Sequence, residues 1–103
     1  MTRFQRVATV GDLPPGEKRI VEVDGTLVVL VNCAGQLYAV EDVCTHDGGP
    51  LGEGKLEDCQ LVCPRHGGRF DAATGAAMKL PAVDPVPTYE VRIQDGEVQI
   101  EVL

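Results

Sequence analysis

Short runs of alternating apolar and polar residues, separated by tight-turn dipeptides, cover most of this chain. In the clearest case Asp24-Gly25 joins Ile20–Val23 to Thr26–Val31, and an Asp-Gly pair between β-branched runs is typical of a two-residue hairpin. The same alternation continues in the runs 36–40, 89–93 and 98–102, with turns at Ala34-Gly35 and Asp95-Gly96. No stretch has helical periodicity, so the pattern predicts an all-β protein, an antiparallel sandwich or partly closed barrel.

Length and composition predict one domain. A chain of 103 residues with 44% hydrophobic residues is long enough for one core, so we expect residues 1–103 to form a single unit. No run approaches the ~20 apolar residues of a membrane span, and residues 1–6 lead into no export signal. We therefore expect a diffusible, cytoplasmic protein. Residues from about 41 to 77 interrupt the strand pattern and predict an inserted subdomain within the β scaffold.

That subdomain contains four candidate metal ligands, Cys44 and His46 in one loop and Cys63 and His66 in a second. The pattern is Cys-x-His, sixteen intervening residues, then Cys-x-x-His, so each loop offers one thiolate and one imidazole. The chain has two histidines, and both stand at these positions. This coincidence argues against a chance match and predicts a metal centre with two Cys and two His ligands.

Two kinds of metal centre use such a ligand set. Zinc takes two Cys and two His, but its usual spacings pair Cys with Cys and His with His, whereas each loop here is mixed. In a Rieske centre two His replace two Cys on one iron of a [2Fe–2S] cluster. The mixed loops favour the Rieske centre, and a colourless, non-redox zinc module is the alternative.

The two loops resemble those of a known family. Cys44–Leu51 (CTHDGGPL) and Cys63–Asp71 (CPRHGGRFD) are similar to the cluster loops of Rieske proteins, specifically of small soluble Rieske-type ferredoxins. The resemblance extends from about Thr2 to the last strand, although the loops are its specific part. It implies a Rieske-like fold and one [2Fe–2S] cluster. By this resemblance the inner iron is bound by Cys44 and Cys63, and the outer iron by His46 and His66.

The resemblance also implies a function, electron transfer rather than catalysis. Four protein ligands would fill both irons and leave no open position for a substrate, and no nucleophile–base pair or phosphate loop is evident. Such a ferredoxin takes one electron from an NAD(P)H-dependent flavoprotein reductase and passes it to a terminal Rieske oxygenase of a dioxygenase system. We expect a monomer with transient partners. The alternative is the Rieske-like small subunit of an assimilatory nitrite reductase, which would co-purify with a sirohaem partner.

Two differences from high-potential relatives predict a low reduction potential. Those relatives place Ser and Tyr hydroxyls as donors to cluster sulfur, and the matching positions here are Gly68 and Phe70. They also join the two loops by a disulfide, whose matching positions here are Gly49 and Arg65. Hydrogen bonds to sulfur raise the potential. We therefore expect a value near the low end of the Rieske range of about −150 to +300 mV.

The remaining cysteines and the charge change the picture less. Cys33 ends an apolar run and is expected to be a buried free thiol, and Cys59 an inert turn or strand residue. The net charge of −7 argues against nucleic-acid binding and favours basic partner surfaces. Arg65 and Arg69 are cationic exceptions beside the predicted cluster.

Overall fold

The computed structural model describes residues 3–102, and within them all regular secondary structure is β. Thr2, where the family resemblance begins, lies outside the described residues. Eleven strands follow one another in chain order: β1 (Arg3–Thr9), β2 (Lys18–Val23), β3 (Thr26–Cys33), β4 (Gln36–Glu41), β5 (Leu56–Glu57), β6 (Gln60–Val62), β7 (Arg69–Asp71), β8 (Ala77–Lys79), β9 (Thr88–Tyr89), β10 (Val91–Gln94) and β11 (Glu97–Val102).

The strands form three antiparallel sheets, which confirms the predicted fold class. The first has the order β1-β11-β10, the second β2-β3-β4-β9 and the third β5-β6-β7-β8. The hairpin predicted at Asp24-Gly25 joins β2 to β3, and both turn residues have positive φ (48° and 87°). Positive φ at both central positions is the geometry of a type I′ turn, which matches the twist of the paired strands.

One strand prediction needs correction, and one strand was not predicted. The run 89–93 was expected to be continuous, but Tyr89 pairs with Ala39 in the second sheet while Val91 pairs with Ile100 in the first. The apolar–polar alternation continues across this change of sheet, so periodicity alone does not reveal it. Strand β1, which pairs with β11 at the edge of the first sheet, was not predicted, because Arg3 and Arg6 interrupt its apolar pattern.

Strand β3 lies between two hydrophobic clusters and links the core to the candidate site. Because side chains alternate across a strand, Val28 and Leu30 face one cluster, which also contains Ile100. The intervening Val29 and Val31 face the other, whose buried members include Leu51, Leu61, Phe70 and the thiols of Cys44 and Cys63. The two predicted thiolate ligands are therefore anchored in a fully formed core.

The expectation that Cys33 is a free thiol was wrong, whereas Cys59 lies in a turn as expected. The structure joins them in a disulfide, with their Cα atoms 5.5 Å apart. The β5–β6 hairpin folds back so that its turn meets the end of β3, although 26 positions separate the two residues along the chain. Sequence separation gave no sign of this contact.

Between residues 3 and 102 the structure contains no helix long and apolar enough to cross a membrane.

Candidate metal centre

The two predicted ligand loops have the same backbone hydrogen bonds. The Cys44 N–H donates to the Gly49 carbonyl (2.8 Å), and the Gly48 N–H donates to the Cys44 carbonyl (2.7 Å). In the second loop Cys63 pairs in the same way with Gly68 (2.7 Å) and Gly67 (3.1 Å). The backbone of each cysteine is thus hydrogen-bonded to both members of a Gly-Gly pair, four and five residues later.

The first glycine of each pair explains the spacing. Gly48 has φ 76° and Gly67 has φ 75°, a left-handed conformation that glycine adopts without steric cost. The shared spacing Cys-x₃-Gly-Gly was visible in the sequence as a short local repeat, and the sequence reasoning missed it. The loops differ in one respect, since His is the second residue after Cys44 but the third after Cys63.

The structure brings all four sequence-predicted ligands together. The sulfur atoms of Cys44 and Cys63 are buried, and one oxygen of Asp47 lies with them in a group whose ligand atoms are all within 4.8 Å of one another. His46 and His66 are exposed and form a second such group with Asp47. Their rings stand edge to face, with centroids 5.2 Å apart. The thiols therefore form the inner side of the site and the imidazoles its outer side.

Asp47 is a residue of this site that the sequence reasoning did not single out. Its Oδ1 accepts a hydrogen bond from the Gly49 N–H (2.8 Å). Its buried Oδ2 lies 3.2 Å from Nδ1 of His66 and 3.7 Å from Nε of Arg65, yet has no hydrogen-bond donor among the described residues. The signal was its position three residues after Cys44, which corresponds to that of His66 after Cys63.

Burial and local hydrogen bonds shift the pKa values of Cys44 and Asp47 in opposite directions. Burial, and next the side chain of Cys63, raise the pKa of the Cys44 thiol above its usual value. The Gly49 N–H, with a smaller contribution from the charge of Arg65, lowers the pKa of Asp47. Asp47 is therefore a fixed negative charge, whereas Cys44 needs a metal to hold it as a thiolate.

Contacts outside the loops hold this arrangement in place. The Thr45 hydroxyl donates to the Asp84 carbonyl (2.8 Å) and ties the first loop to the segment before β9. Phe70 is fully buried beneath the second loop. A Cβ at Gly68 would lie 3.2 Å from Ala82, and one at Gly54 would lie 1.7 Å from the Val62 carbonyl oxygen. The loops thus pack closely on their supports.

The donor set fits a [2Fe–2S] cluster on two observations. Two thiols lie side by side in the core, and burial raises the pKa of the Cys44 thiol. An iron–sulfur centre would hold such a pair as thiolates, a charged state that an apolar core alone does not stabilise. The two imidazoles have no structural role in the core, because both rings lie at the surface. The arrangement separates thiolate and imidazole donors, which is what a cluster with two unlike irons requires.

Comparison with known proteins identifies the family. The family model for the Rieske [2Fe–2S] domain matches residues 3–90. The chain therefore belongs to the Rieske [2Fe–2S] domain family, whose members bind one [2Fe–2S] cluster.

Among curated proteins the similar relatives are ferredoxins of dioxygenase systems. The 3-phenylpropionate/cinnamic acid dioxygenase ferredoxin subunit of Escherichia coli K12 is 39% identical over 93 residues, covering 89% of this chain and 87% of the relative. The ferredoxin component of the naphthalene 1,2-dioxygenase/salicylate 5-hydroxylase systems of Ralstonia is 35% identical over 94 residues, with coverage of 91% and 90%. About nine-tenths of this chain thus aligns with ferredoxin components.

The solved structures that are similar to this chain also include dioxygenase ferredoxins. The ferredoxin of carbazole 1,9a-dioxygenase from Nocardioides aromaticivorans superposes with a TM-score of 0.90 at 36% identity, covering 94% and 95% of the two chains. A complex of reduced oxygenase and oxidised ferredoxin of carbazole 1,9a-dioxygenase matches with a TM-score of 0.89 at 35% identity, covering 94% and 91%. A nitrite reductase small subunit from Mycobacterium tuberculosis, at TM-score 0.87 and 23% identity, covers 100% and 97% and shares the fold.

Proposed function

We propose that this protein is the ferredoxin of a Rieske dioxygenase system, a one-electron carrier to a terminal oxygenase. The observation that carries the proposal is the convergence of two buried thiols and two exposed imidazoles in a chain similar over about nine-tenths of its length to ferredoxin components. This proposal assigns no residue a catalytic role. The protein stores and releases an electron.

The ligand set in this proposal is Cys44, His46, Cys63 and His66. The cluster supplies reversible one-electron chemistry when bound, and neutral imidazoles make it less negative than four thiolates would, which eases electron uptake. Cys44 and Cys63 hold the buried side in the hydrophobic core, which excludes water. His46 and His66 present the exposed side, where a partner can approach. Residues 41–77 are proposed as the subdomain that carries the centre within a single domain.

An apolar rim beside the second loop supports docking of a partner there. Met78, Leu80 and Val83 expose 53%, 73% and 67% of their surface, and Ala82 between them packs on Gly68. These residues follow β7 and adjoin the loop that bears His66. Exposed apolar groups next to a redox centre favour close contact with another protein, since water leaves the interface.

The proposed partners are a flavoprotein NAD(P)H reductase and a terminal oxygenase, each met transiently by a monomer. The solved oxygenase–ferredoxin complex of carbazole 1,9a-dioxygenase, with a ferredoxin 35% identical to this chain, supports the second partner. Location in the cytoplasm stays a prediction. The nitrite reductase reading rests on a shared fold at 23% identity and predicts stable co-purification with a sirohaem subunit.

Electron transfer between isolated proteins tests the proposal. We would reduce the cluster-loaded protein with one electron per chain and mix it anaerobically with the oxidised Nocardioides carbazole oxygenase. We expect the electron to move to the oxygenase with saturating, salt-sensitive kinetics, and a Cys63→Ser variant that binds no cluster to transfer none. A protein that accepts no electron, or keeps it in the presence of the oxygenase, would overturn the proposal.

A further inference from the structure

The Cys33–Cys59 disulfide joins the β scaffold to the subdomain that bears the candidate metal centre. Cys33 is the last residue of β3, in the second sheet, and Cys59 lies in the turn between β5 and β6 of the third. Strand β6 begins at the next residue and leads directly into Cys63. The bond is thus one short strand away from a proposed ligand, although neither of its cysteines belongs to the ligand set.

Both sulfur-bearing residues are half-buried, and an open cleft of about 450 Å³ lies beside them. Its walls include Asn32, Leu56 and Asp58. The Asn32 side chain donates to the Leu13 carbonyl (2.8 Å) and accepts from the Gly35 N–H (2.7 Å), so one wall is fixed by buried hydrogen bonds. The cleft therefore gives an external thiol a route to the disulfide without unfolding of the chain.

The backbone conformation at Cys59 indicates how the disulfide affects the β5–β6 turn. Asp58 and Cys59 have φ values of 51° and 61°, the left-handed pair of a two-residue hairpin turn. The second position of such a turn is normally glycine, because a Cβ makes this conformation unfavourable. A cysteine here is held in a backbone state that it would otherwise avoid, and the cross-link to Cys33 opposes relaxation of the turn.

We propose that Cys33 and Cys59 form a second redox site, a reversible dithiol–disulfide pair that exchanges with a protein dithiol of the thioredoxin type. A thiolate of the dithiol attacks one sulfur of the bond and forms a mixed disulfide. Its second thiol then displaces that sulfur, so that this protein gains two electrons and two protons as two free thiols while the partner becomes a disulfide. Opening the bond frees the β5–β6 turn and weakens the hold of the subdomain on its cluster.

Thiol mapping on the cluster-loaded protein tests the exchange. The protein is incubated anaerobically with thioredoxin, thioredoxin reductase and NADPH, then quenched, alkylated and mapped by mass spectrometry. We expect Cys33 and Cys59 to be unlabelled before reduction, to acquire label together while the visible absorption of the cluster remains, and to lose reactivity again with oxidised glutathione. Labelling that needs prior unfolding, or thiols that stay free in the oxidant, would overturn the proposal.

A chelator challenge tests the consequence for the cluster. We expect cluster loss to be several-fold faster in the reduced wild type and in Cys33→Ser than in the oxidised wild type. Cys59→Gly also lacks the cross-link but suits the left-handed turn, so it should lose its cluster more slowly than Cys33→Ser. Equal rates in all four samples would overturn the coupling. Neither experiment involves an oxygenase, so their failure is distinct from failure of the proposed carrier function.

Discussion

Asp47 places a permanent negative charge where the two candidate loops meet. Its carboxylate contacts His66, is held by the Gly49 N–H and is partly offset by Arg65. A negative charge close to a redox centre opposes the arrival of an electron, and poor access of water strengthens the effect. Asp47 therefore adds to the reasons for a low reduction potential, independently of the missing donors at residues 68 and 70.

The first prediction concerns this charge. Asp47→Asn keeps the oxygen that accepts from Gly49 and removes the charge, so we expect the reduction potential to rise by some tens of millivolts. Protein-film voltammetry of both proteins measures the change. Asp95→Asn, in the exposed turn between β10 and β11, is the matched control and should leave the potential unchanged. A potential that stays constant or falls in Asp47→Asn would contradict this role.

The second prediction concerns the donors that the chain lacks. The double variant with Gly68→Ser and Phe70→Tyr restores two hydroxyls, and we expect its potential to rise because donors to sulfur stabilise the reduced cluster. Since a Cβ at residue 68 would lie 3.2 Å from Ala82, Gly68→Ala controls for crowding and should shift the potential less. An unmoved or lowered potential in the double variant would show that other features set the value.

Sequence reasoning succeeded at this scale where residue type restricts the chemistry. Both histidines and two of four cysteines stood in two loops, and few centres use that set. Asp47 was missed because carboxylates are common at surfaces, and only the fold shows that one oxygen of this carboxylate is buried. The Cys33–Cys59 disulfide was missed because the contact of these residues depends on how a hairpin folds over β3.

At the scale of elements, close approach between Gly54 and β6 positions the second loop. The Val62 N–H donates to the Lys55 carbonyl (2.9 Å), so the chain before β5 runs directly against the strand that leads into Cys63. A Cβ on Gly54 would lie 1.7 Å from the Val62 carbonyl oxygen, which belongs to the backbone and has little freedom to move. The glycine is therefore required for space rather than for its own conformation.

The third prediction separates these two uses of glycine. Gly54→Ala should displace β6, lower the melting temperature and reduce the iron content per chain, because Cys63 moves with the strand. At Gly25 a Cβ would meet no atom within 4 Å, but the backbone φ is 87°. Gly25→Ala should therefore cost about 1 kcal/mol of stability and leave the iron content normal. Calorimetry and iron analysis of both variants make the comparison. Full iron content in Gly54→Ala would contradict the packing argument.

Strands could be predicted where turn chemistry and alternation agree, as at Asp24-Gly25 and Asp95-Gly96. They could not be predicted where the chain changes sheet, as between Tyr89 and Val91, because alternation is local and sheet membership is not. Strand β9, with two residues, carries too little pattern to predict. The third sheet as a whole emerged from the structure, although its two ligand loops were recognised from the sequence.

At the scale of the whole molecule, we expect net charge and exposed apolar surface to contribute to partner binding in different ways. The net charge of −7 acts at a distance and speeds encounter with a basic surface. The proposed docking rim of Met78, Leu80 and Val83, beside the loop that carries His66, would act at contact. Electron transfer to the oxygenase should therefore depend on both features in separable ways.

The fourth prediction tests the rim. Leu80→Asp puts a charge at its most exposed member, and we expect affinity for the oxygenase to fall about tenfold, which corresponds to about 1.4 kcal/mol, with the reduction potential unchanged. Ile93→Asp, at a residue of β10 that is 58% exposed, is the control and should keep wild-type affinity. Equal weakening by both variants would point to net charge instead of the rim.

A redox titration followed by electron paramagnetic resonance tests the central claim most directly, that Cys44, His46, Cys63 and His66 hold a low-potential Rieske [2Fe–2S] cluster. The predicted result is a Rieske-type signal of one spin per chain that appears near −150 mV in order of magnitude and is lost in Cys63→Ser. The same signal at high potential would contradict the account of the missing donors. A silent protein that contains zinc would contradict the electron-transfer function itself.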